Sequence, residues 1–327
     1  MGFLFGNSSL SIPDLDGKVA LVTGANTGMG YTIAEQLALH GAKVWMGARS
    51  GAKAKQAIDK FNTEHKDSTK KGEIIWLPLD LTSPIDVIAS AKSFLSQEDR
   101  LDILVNNAAR LASPYVLTKD GLETSVAINH IGHFTLTEAL LPLLRYTAQL
   151  ESTDVRVVTV SSALHSYVSD VKLETKSDFN NTFSSDSASA DSLLANTKRY
   201  NFTKLLNVLF AAELQRRVDK EDTQLISISL HPGVVATGGA LDRFPAVLKP
   251  MLRMFAKTPL QGAKAALVAA TSPEVKSKEE KYKGAYLGPG GKLQLASETG
   301  RDEKLAKQLW DLSQKTVKYI LQTNVSG

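Results

Sequence analysis

KVALVTGANTGMGYTIAEQLALHG, residues 18–41, is the stretch whose reading decides the fold. Lys18 to Thr23 is a short apolar run between Gly17 and Gly24, which reads as a strand buried on both faces. Gly28 to His40 has helical spacing, with Ile33, Ala34, Leu37 and His40 sharing a face. Between them runs Thr23-Gly24-Ala25-Asn26-Thr27-Gly28-Met29-Gly30. A turn of this kind, after a strand and before a helix, suits the pyrophosphate of a dinucleotide. Gly24 allows the tight turn, Gly28 lets the main chain approach the phosphates, and Gly30 permits close helix–strand packing. The helix N-terminus then faces the anion with unpaired amides and a favourable dipole.

Outward from this unit the same alternation repeats. Strands are expected over Ala42 to Ala48, Glu73 to Leu79, Leu101 to Asn106, Val155 to Val160, Gln224 to Leu230 and near Tyr282 to Leu287. Helices are expected over Ala52 to Glu64, from Pro84 with Ser83 as its cap, and over a long stretch from Leu122 to Tyr146 with a kink expected at Pro142. Alternating strands and helices specify βαβ units, hence an α/β single-domain Rossmann fold. The expected sheet is doubly wound, parallel and seven-stranded, with helices on both faces. The catalytic domain is assigned to residues 17–323, after an N-terminal extension of residues 1–16. Lys176 to Ser192, rich in Ser, Asp and Asn, reads as an exposed, mobile insertion. Asp302 to Leu321 reads as an amphipathic helix on the outside of the domain, with Leu305, Leu309, Leu312 and Val317 on one side.

Composition narrows the function classes. The 327 residues are 43% hydrophobic and 22% charged, with a net charge of +4, an ordinary soluble balance. The lysines are scattered, so a nucleic-acid surface is not expected. The absence of cysteine excludes disulfides and thiolate metal sites and fits a reducing compartment. No stretch offers the ~20 apolar residues of a membrane span, and Met1 to Leu15 lacks the basic start of a signal peptide; a cytoplasmic location is the expectation. His130 and His133 lie three apart without a carboxylate or thiol motif, so packing or surface roles are expected and no metal.

Further motifs follow the strand ends. Asn106-Asn107-Ala108-Ala109 comes after strand four and Ser161-Ser162 after strand five. Tyr200-Asn201-Phe202-Thr203-Lys204 forms a YxxxK pattern, and His231-Pro232-Gly233-Val234-Val235-Ala236-Thr237 comes after strand six. Asn129 sits inside the long helix. Together with the glycine turn, this order resembles the short-chain dehydrogenase/reductase family, whose TGxxxGxG, NNAG, YxxxK and PGxxxT patterns it matches, with Ala109 in place of a glycine. VSSALH, KLLNVLFAAEL and LAKQLWDLS are most similar to the retinol-dehydrogenase-like branch.

The resemblance implies a hydride transfer between a nicotinamide ring and a carbonyl or alcohol carbon. A tyrosine with an ordinary pKa near ~10 exchanges protons poorly near neutrality, and a neighbouring cation favours its phenolate. Tyr200 and Lys204, four apart on a helix, share a face. Ser162, preferred to Ser161 by the resemblance, would hydrogen-bond the substrate oxygen. Asn129 would hold a water that relays protons from Lys204. Cofactor contacts are expected from Gly24, Asn26, Thr27, Gly28, Met29, Gly30, Asn106 and Ala108, and from Asp80 with Leu81 at the adenine. Pro232, Gly233, Val235 and Thr237 are expected near the carboxamide, with Tyr200 and Lys204 at the ribose. Strand two ends Gly47-Ala48-Arg49-Ser50 with no acid to grip an unphosphorylated ribose, and Arg49 suits a 2′-phosphate, so NADP(H) is the expected cofactor. An apolar lid over residues 238–259 is expected to admit a lipophilic or aromatic carbonyl or alcohol. The related readings are enone reduction or epimerisation on the same fold, and a non-catalytic NADP-binding sensor. Family members form dimers, so a homodimer is among the expectations.

Overall fold

Val19–Thr23 is strand β1, every residue of it buried, and Gly28–Leu39 is helix α1. The structure, a computed structural model, describes residues 11–151, 153–186, 189–233 and 258–323. The chain continues through β2 (Lys43–Ala48), α2 (Gly51–Glu64), β3 (Ile74–Pro78), α3 (Pro84–Leu95) and β4 (Ile103–Asn106). Next come α4 (Thr124–Val126), α5 (Gly132–Gln149), β5 (Val155–Val160), α6 (Leu193–Asp219) and β6 (Leu225–Leu230). The remaining elements are α7 (Pro259–Thr271), α8 (Pro273–Ser277), α9 (Glu279–Tyr282), β7 (Tyr286–Leu287), β8 (Leu293–Gln294) and α10 (Glu303–Thr323).

The strands form one sheet in the order β3-β2-β1-β4-β5-β6-β7-β8, parallel throughout except for the antiparallel pair β7 and β8. Strand order reverses between β1 and β4, and in such sheets the ligand crevice opens at the carboxyl ends of that junction. Alternate side chains of each strand feed two cores. Leu21, Leu104 and Val157 pack with Phe94, Phe134, Phe210 and Trp310 from α3, α5, α6 and α10. Ala20, Val22, Val105 and Val158 pack with Ile33, Leu37, Phe61 and Leu267 from α1, α2 and α7. The central strands are thus buried on both faces, which is why they read as continuous apolar runs.

Four expectations change. The seventh strand is only Tyr286–Leu287, because Glu279–Tyr282 is helical, and an eighth strand pairs with it in reverse. Two-residue strands are too short to carry a period. The long helix is interrupted by a π-turn, Ala127–Ile131, where the Gly132 amide donates to the Ala127 carbonyl five residues back. Pro142, in contrast, lies within an unbroken α5. The insertion is not simply exposed: Lys176–Asn180 is a 3-10 turn closed by a Thr175/Asp178 capping box, and Phe179 and Ala190 are buried.

Among the described residues, no helix is long and apolar enough to cross a membrane.

Candidate active site

The glycine turn is held against the chain that follows β4. Gly24 and Gly28 have φ of +64° and +58°, a left-handed backbone that favours glycine. A Cβ on Gly24 would sit 2.9 Å from the Ala108 Cα, and one on Gly30 would collide with the Gly24 carbonyl and the Asn107 amide. Gly30 is therefore required by the closeness of α1 to its own turn and to Asn107. Thr27, extended at φ −160°, leads into α1. Asn26, Gly28 and Met29 are half-buried around it, Met29 packed on the core below.

One hydroxyl organises this junction. Thr23 Oγ1 accepts from the amides of Asn107 and Ala108, each at 2.9 Å, and lies 2.8 Å from His133 Nε2. His133 Nδ1 lies 3.1 Å from the Asn129 carbonyl and can only donate there, so in the neutral ring Nε2 accepts from the threonine. Burial pushes His133 down to about 4, which keeps it neutral. Asn107 Nδ2 also donates to the Thr23 carbonyl at 2.8 Å. Asn107 thus braces the glycine turn through its side chain. Asn106 is fully buried and donates to Thr137 Oγ1 at 3.0 Å, because successive strand residues face opposite sides.

The Tyr-Lys pair lies on α6, beside the end of β5. Lys204 is 1% exposed, and its Nζ is 5.6 Å from the centre of the Tyr200 ring. It donates to the Val160 carbonyl at 3.0 Å, as does Asn207 Nδ2 at the same distance. Burial alone pulls the Lys204 ammonium down to about 8. Tyr200 is half-buried. The two serines are told apart by their partners. Ser161 Oγ is buried and donates to the Lys204 carbonyl at 2.6 Å, tying β5 to α6. Ser162 Oγ is half-buried and accepts from the Leu164 amide at 3.2 Å, which leaves its proton to donate. The Ser162 carbonyl is 2.8 Å from His165 Nδ1, and His165 Nε2 accepts from the Ser297 amide at 3.0 Å. His165 thereby fastens the Ser162 loop to the segment after β8.

Asn129 lies in the π-turn. Its Oδ1 accepts from the Arg110 amide at 2.7 Å, while its Nδ2 donates to the Arg110 carbonyl and to Thr203 Oγ1, both at 2.9 Å. Both ends of the side chain expected to hold a relay water are bonded to protein, and Oδ1 keeps a second lone pair.

The other expected residues divide. Arg49 is exposed just beyond β2. Asp80 Oδ1 accepts from both the amide and the hydroxyl of Thr82, at 2.9 and 2.7 Å, closing the turn after β3. Leu81 is a core residue, with its carbonyl against Gly132. Pro232 and Gly233 follow β6, and Gly233 has φ +82°. Val235, Thr237 and residues 238–257 of the expected lid lie outside the described residues; Thr258 caps α7 and Pro259 begins it. His130 is buried among Phe134, Phe179 and Phe210, with Nε2 donating to Ser313 Oγ at 2.8 Å.

Residues that the motifs left unassigned also matter, namely Thr23, Asn107, His133, His165 and Arg199. Thr23 and Asn107 had a visible signal, as the first and second residues of their motifs. The others are recognisable only through partners distant in sequence.

Comparison with known proteins agrees with this geometry. A family model described as short chain dehydrogenase matches residues 18–170. The chain is 42% identical to the short chain dehydrogenase/reductase dpchH of Colletotrichum higginsianum, over 97% of this chain and 82% of that protein. It is 35% identical to retinol dehydrogenase 14 of Homo sapiens, over 93% and 86% respectively. Among solved structures, an uncharacterized protein from Mycobacterium Paratuberculosis superimposes with a TM-score of 0.67 at 29% identity, covering 94% of this chain and 96% of that one. Pseudomonas aeruginosa RhlG, in an NADP complex, shares the fold at a TM-score of 0.62 and 23% identity, over 85% of this chain and 97% of that one.

Proposed function

The chain belongs to the short-chain dehydrogenase/reductase family of oxidoreductases, and on that premise we propose that it is an NADP(H)-dependent ketone or aldehyde reductase, or alcohol dehydrogenase, acting on a lipophilic or aromatic small molecule. The observation that carries the reading is the buried Lys204 ammonium beneath the half-buried Tyr200 phenol, with Ser162 following Ser161, whose hydroxyl is bonded to the Lys204 carbonyl. The residues present fit a dinucleotide: a turn with left-handed glycines at Gly24 and Gly28, opening onto the N-terminus of α1, at the junction of β1 and β4. Gly24, Asn26, Thr27, Gly28, Met29, Gly30 and Ala108 would hold its phosphates and ribose. Arg49, beyond a strand end that carries no acid, supports the 2′-phosphorylated form. Asp80, Pro232 and Gly233 would border the adenine and nicotinamide ends, with Val235 and Thr237 beyond them.

When bound, the cofactor supplies or accepts a hydride. Tyr200 gives its proton to the substrate oxygen during reduction and retrieves it during oxidation. Lys204 supports the phenolate through its charge, and Ser162 donates a hydrogen bond to the same oxygen. Asn129 braces the helix that carries the pair, through Thr203.

The test is turnover of NADPH with aromatic ketones and long-chain aldehydes, followed by absorbance. Tyr200→Phe is expected to keep NADPH affinity while losing about 10²–10⁴ in kcat. Arg49→Asp is expected to reverse the preference between NADPH and NADH. Full activity in Tyr200→Phe overturns the mechanism, and an unaltered preference in Arg49→Asp overturns the cofactor assignment.

A further inference from the structure

Arg199 precedes Tyr200 and is 2% exposed. A buried guanidinium is costly unless its donors are met. Here the four Nη donors are met, largely by main chain, while Nε is buried without a hydrogen-bond partner. Nη1 donates to the carbonyls of Thr182 and Ala190 at 2.8 and 2.7 Å; Nη2 donates to the Ser113 carbonyl at 3.1 Å and to Asn196 Oδ1. The Tyr115 ring lies 5.4 Å from its Cζ. The nearest carboxylate, Asp191, is 3.9 Å away and 61% exposed, so the guanidinium serves mainly as a hub for carbonyls.

The carbonyls belong to two irregular segments. One runs on from Ala108, which packs against Gly24, and through Arg110, whose amide is fixed by Asn129. The other is the insertion that leads into α6. The two are laced together beyond the hub. The Tyr115 amide donates to Asp191 Oδ1 at 2.6 Å, and the Tyr115 hydroxyl to the Asn180 carbonyl at 3.2 Å. The Asn180 side chain bridges the Glu123 amide and the Gly121 carbonyl at 2.8 and 2.9 Å. Ser113 passes the order on, as its hydroxyl accepts from Arg110 Nε at 2.7 Å.

We propose that Arg199 is a positioning residue that holds these two segments as a fixed wall beside Tyr200, and so selects substrates by bulk. The proposal rests on the reading of Tyr200 given above. A planar fork meets four acceptors at once; an ammonium does not, so lysine is not an adequate replacement.

The experiment uses the full chain loaded with NADPH and compares Arg199→Met, Arg199→Lys and Asn180→Ala with the unaltered protein. It measures hydrogen exchange, NADPH affinity, and kinetics on one small aliphatic aldehyde and one bulky aromatic ketone. Both Arg199 variants are expected to speed exchange at amides of 113–123 and 180–186 by about tenfold while NADPH affinity stays within about twofold. KM for the bulky ketone rises about tenfold with kcat nearly kept, and the small aldehyde is converted almost as before. Asn180→Ala, which strands no buried charge, moves the same quantities less and decides the matter if the Arg199 variants fail to fold. Equal losses on both substrates, or an unchanged KM in Asn180→Ala with faster exchange, overturn the proposal. Activity surviving in Tyr200→Phe instead overturns the reading of Tyr200 and leaves the exchange and size-selection results to judge the wall. If the unaltered chain turns over neither substrate, the hydride-transfer reading falls and exchange alone judges whether Arg199 orders the wall.

Discussion

Lys204 shows how a single residue joins stability to chemistry. Its ammonium is buried, and that burial brings it from an ordinary 10.5 to about 8. The sign of the linkage follows. Between about pH 8 and 10.5 the unfolded chain holds the proton that the folded chain releases, so this group makes stability rise with pH in that window. Below the window the full cost of a buried charge persists. Lys204→Met is therefore expected to be more stable than the unaltered protein at neutral pH, by on the order of 1–3 kcal/mol, with the advantage shrinking above pH 8. Denaturant melts at pH 7 and 9.5 measure it; an advantage that grows with pH defeats the account. The same variant should be nearly inactive, since the phenol loses its cation. Tyr200, Lys204 and Ser162 were all legible as motif positions. That the Ser161 hydroxyl is bound to the Lys204 carbonyl was not legible, because the partner lies 43 residues away.

At the scale of elements, helix α10 illustrates a pattern read correctly in outline but incompletely. Its apolar stripe of Leu305, Leu309 and Leu312 was evident from spacing, whereas the weight of Trp310 was not. In the fold Trp310 is 4% exposed, edge-on to Phe134 at 5.1 Å and stacked on Phe210 at 5.8 Å. Arg217 covers its ring at 4.5 Å. Trp310→Ala is expected to cost about 3–5 kcal/mol, since it removes the largest ring of a packed aromatic cluster. Thermal denaturation checks this, and a loss below 1 kcal/mol would mean that α10 is only loosely docked. The π-turn before α5 is a second case. Periodicity predicts a helix there, but cannot show one residue too many in a turn. In this turn the Asn129 carbonyl lies 3.1 Å from His133 Nδ1, and the Asn129 side chain bonds the Arg110 main chain.

At the scale of the molecule, His130 and His133 make folding sensitive to acid. Both are buried, and burial pushes them down to about 3 and about 4. Below pH ~6.5 the unfolded chain takes up protons that the fold refuses, so stability falls with pH by up to about 1.4 kcal/mol per pH unit for each. His130→Phe, which suits the surrounding phenylalanines, is expected to remove about one proton from that slope between pH 4 and 6. Melts across this range measure it, and an unaltered slope would assign the acid sensitivity elsewhere. The same two residues mark where reading from sequence stops. The chain by itself determined the parallel α/β architecture, the glycine turn and the order of the chemical motifs. Each is written in local periodicity or in a few neighbouring residues: a strand buried on both faces must be apolar throughout, and a phosphate turn must be glycine-rich. Only the tertiary structure decided which of two adjacent asparagines braces the turn, which of two serines faces outward, and how a buried arginine gathers two loops beside the tyrosine. Those outcomes depend on hydrogen bonds between groups tens of residues apart, whose partners have no local signature until the sheet brings them together.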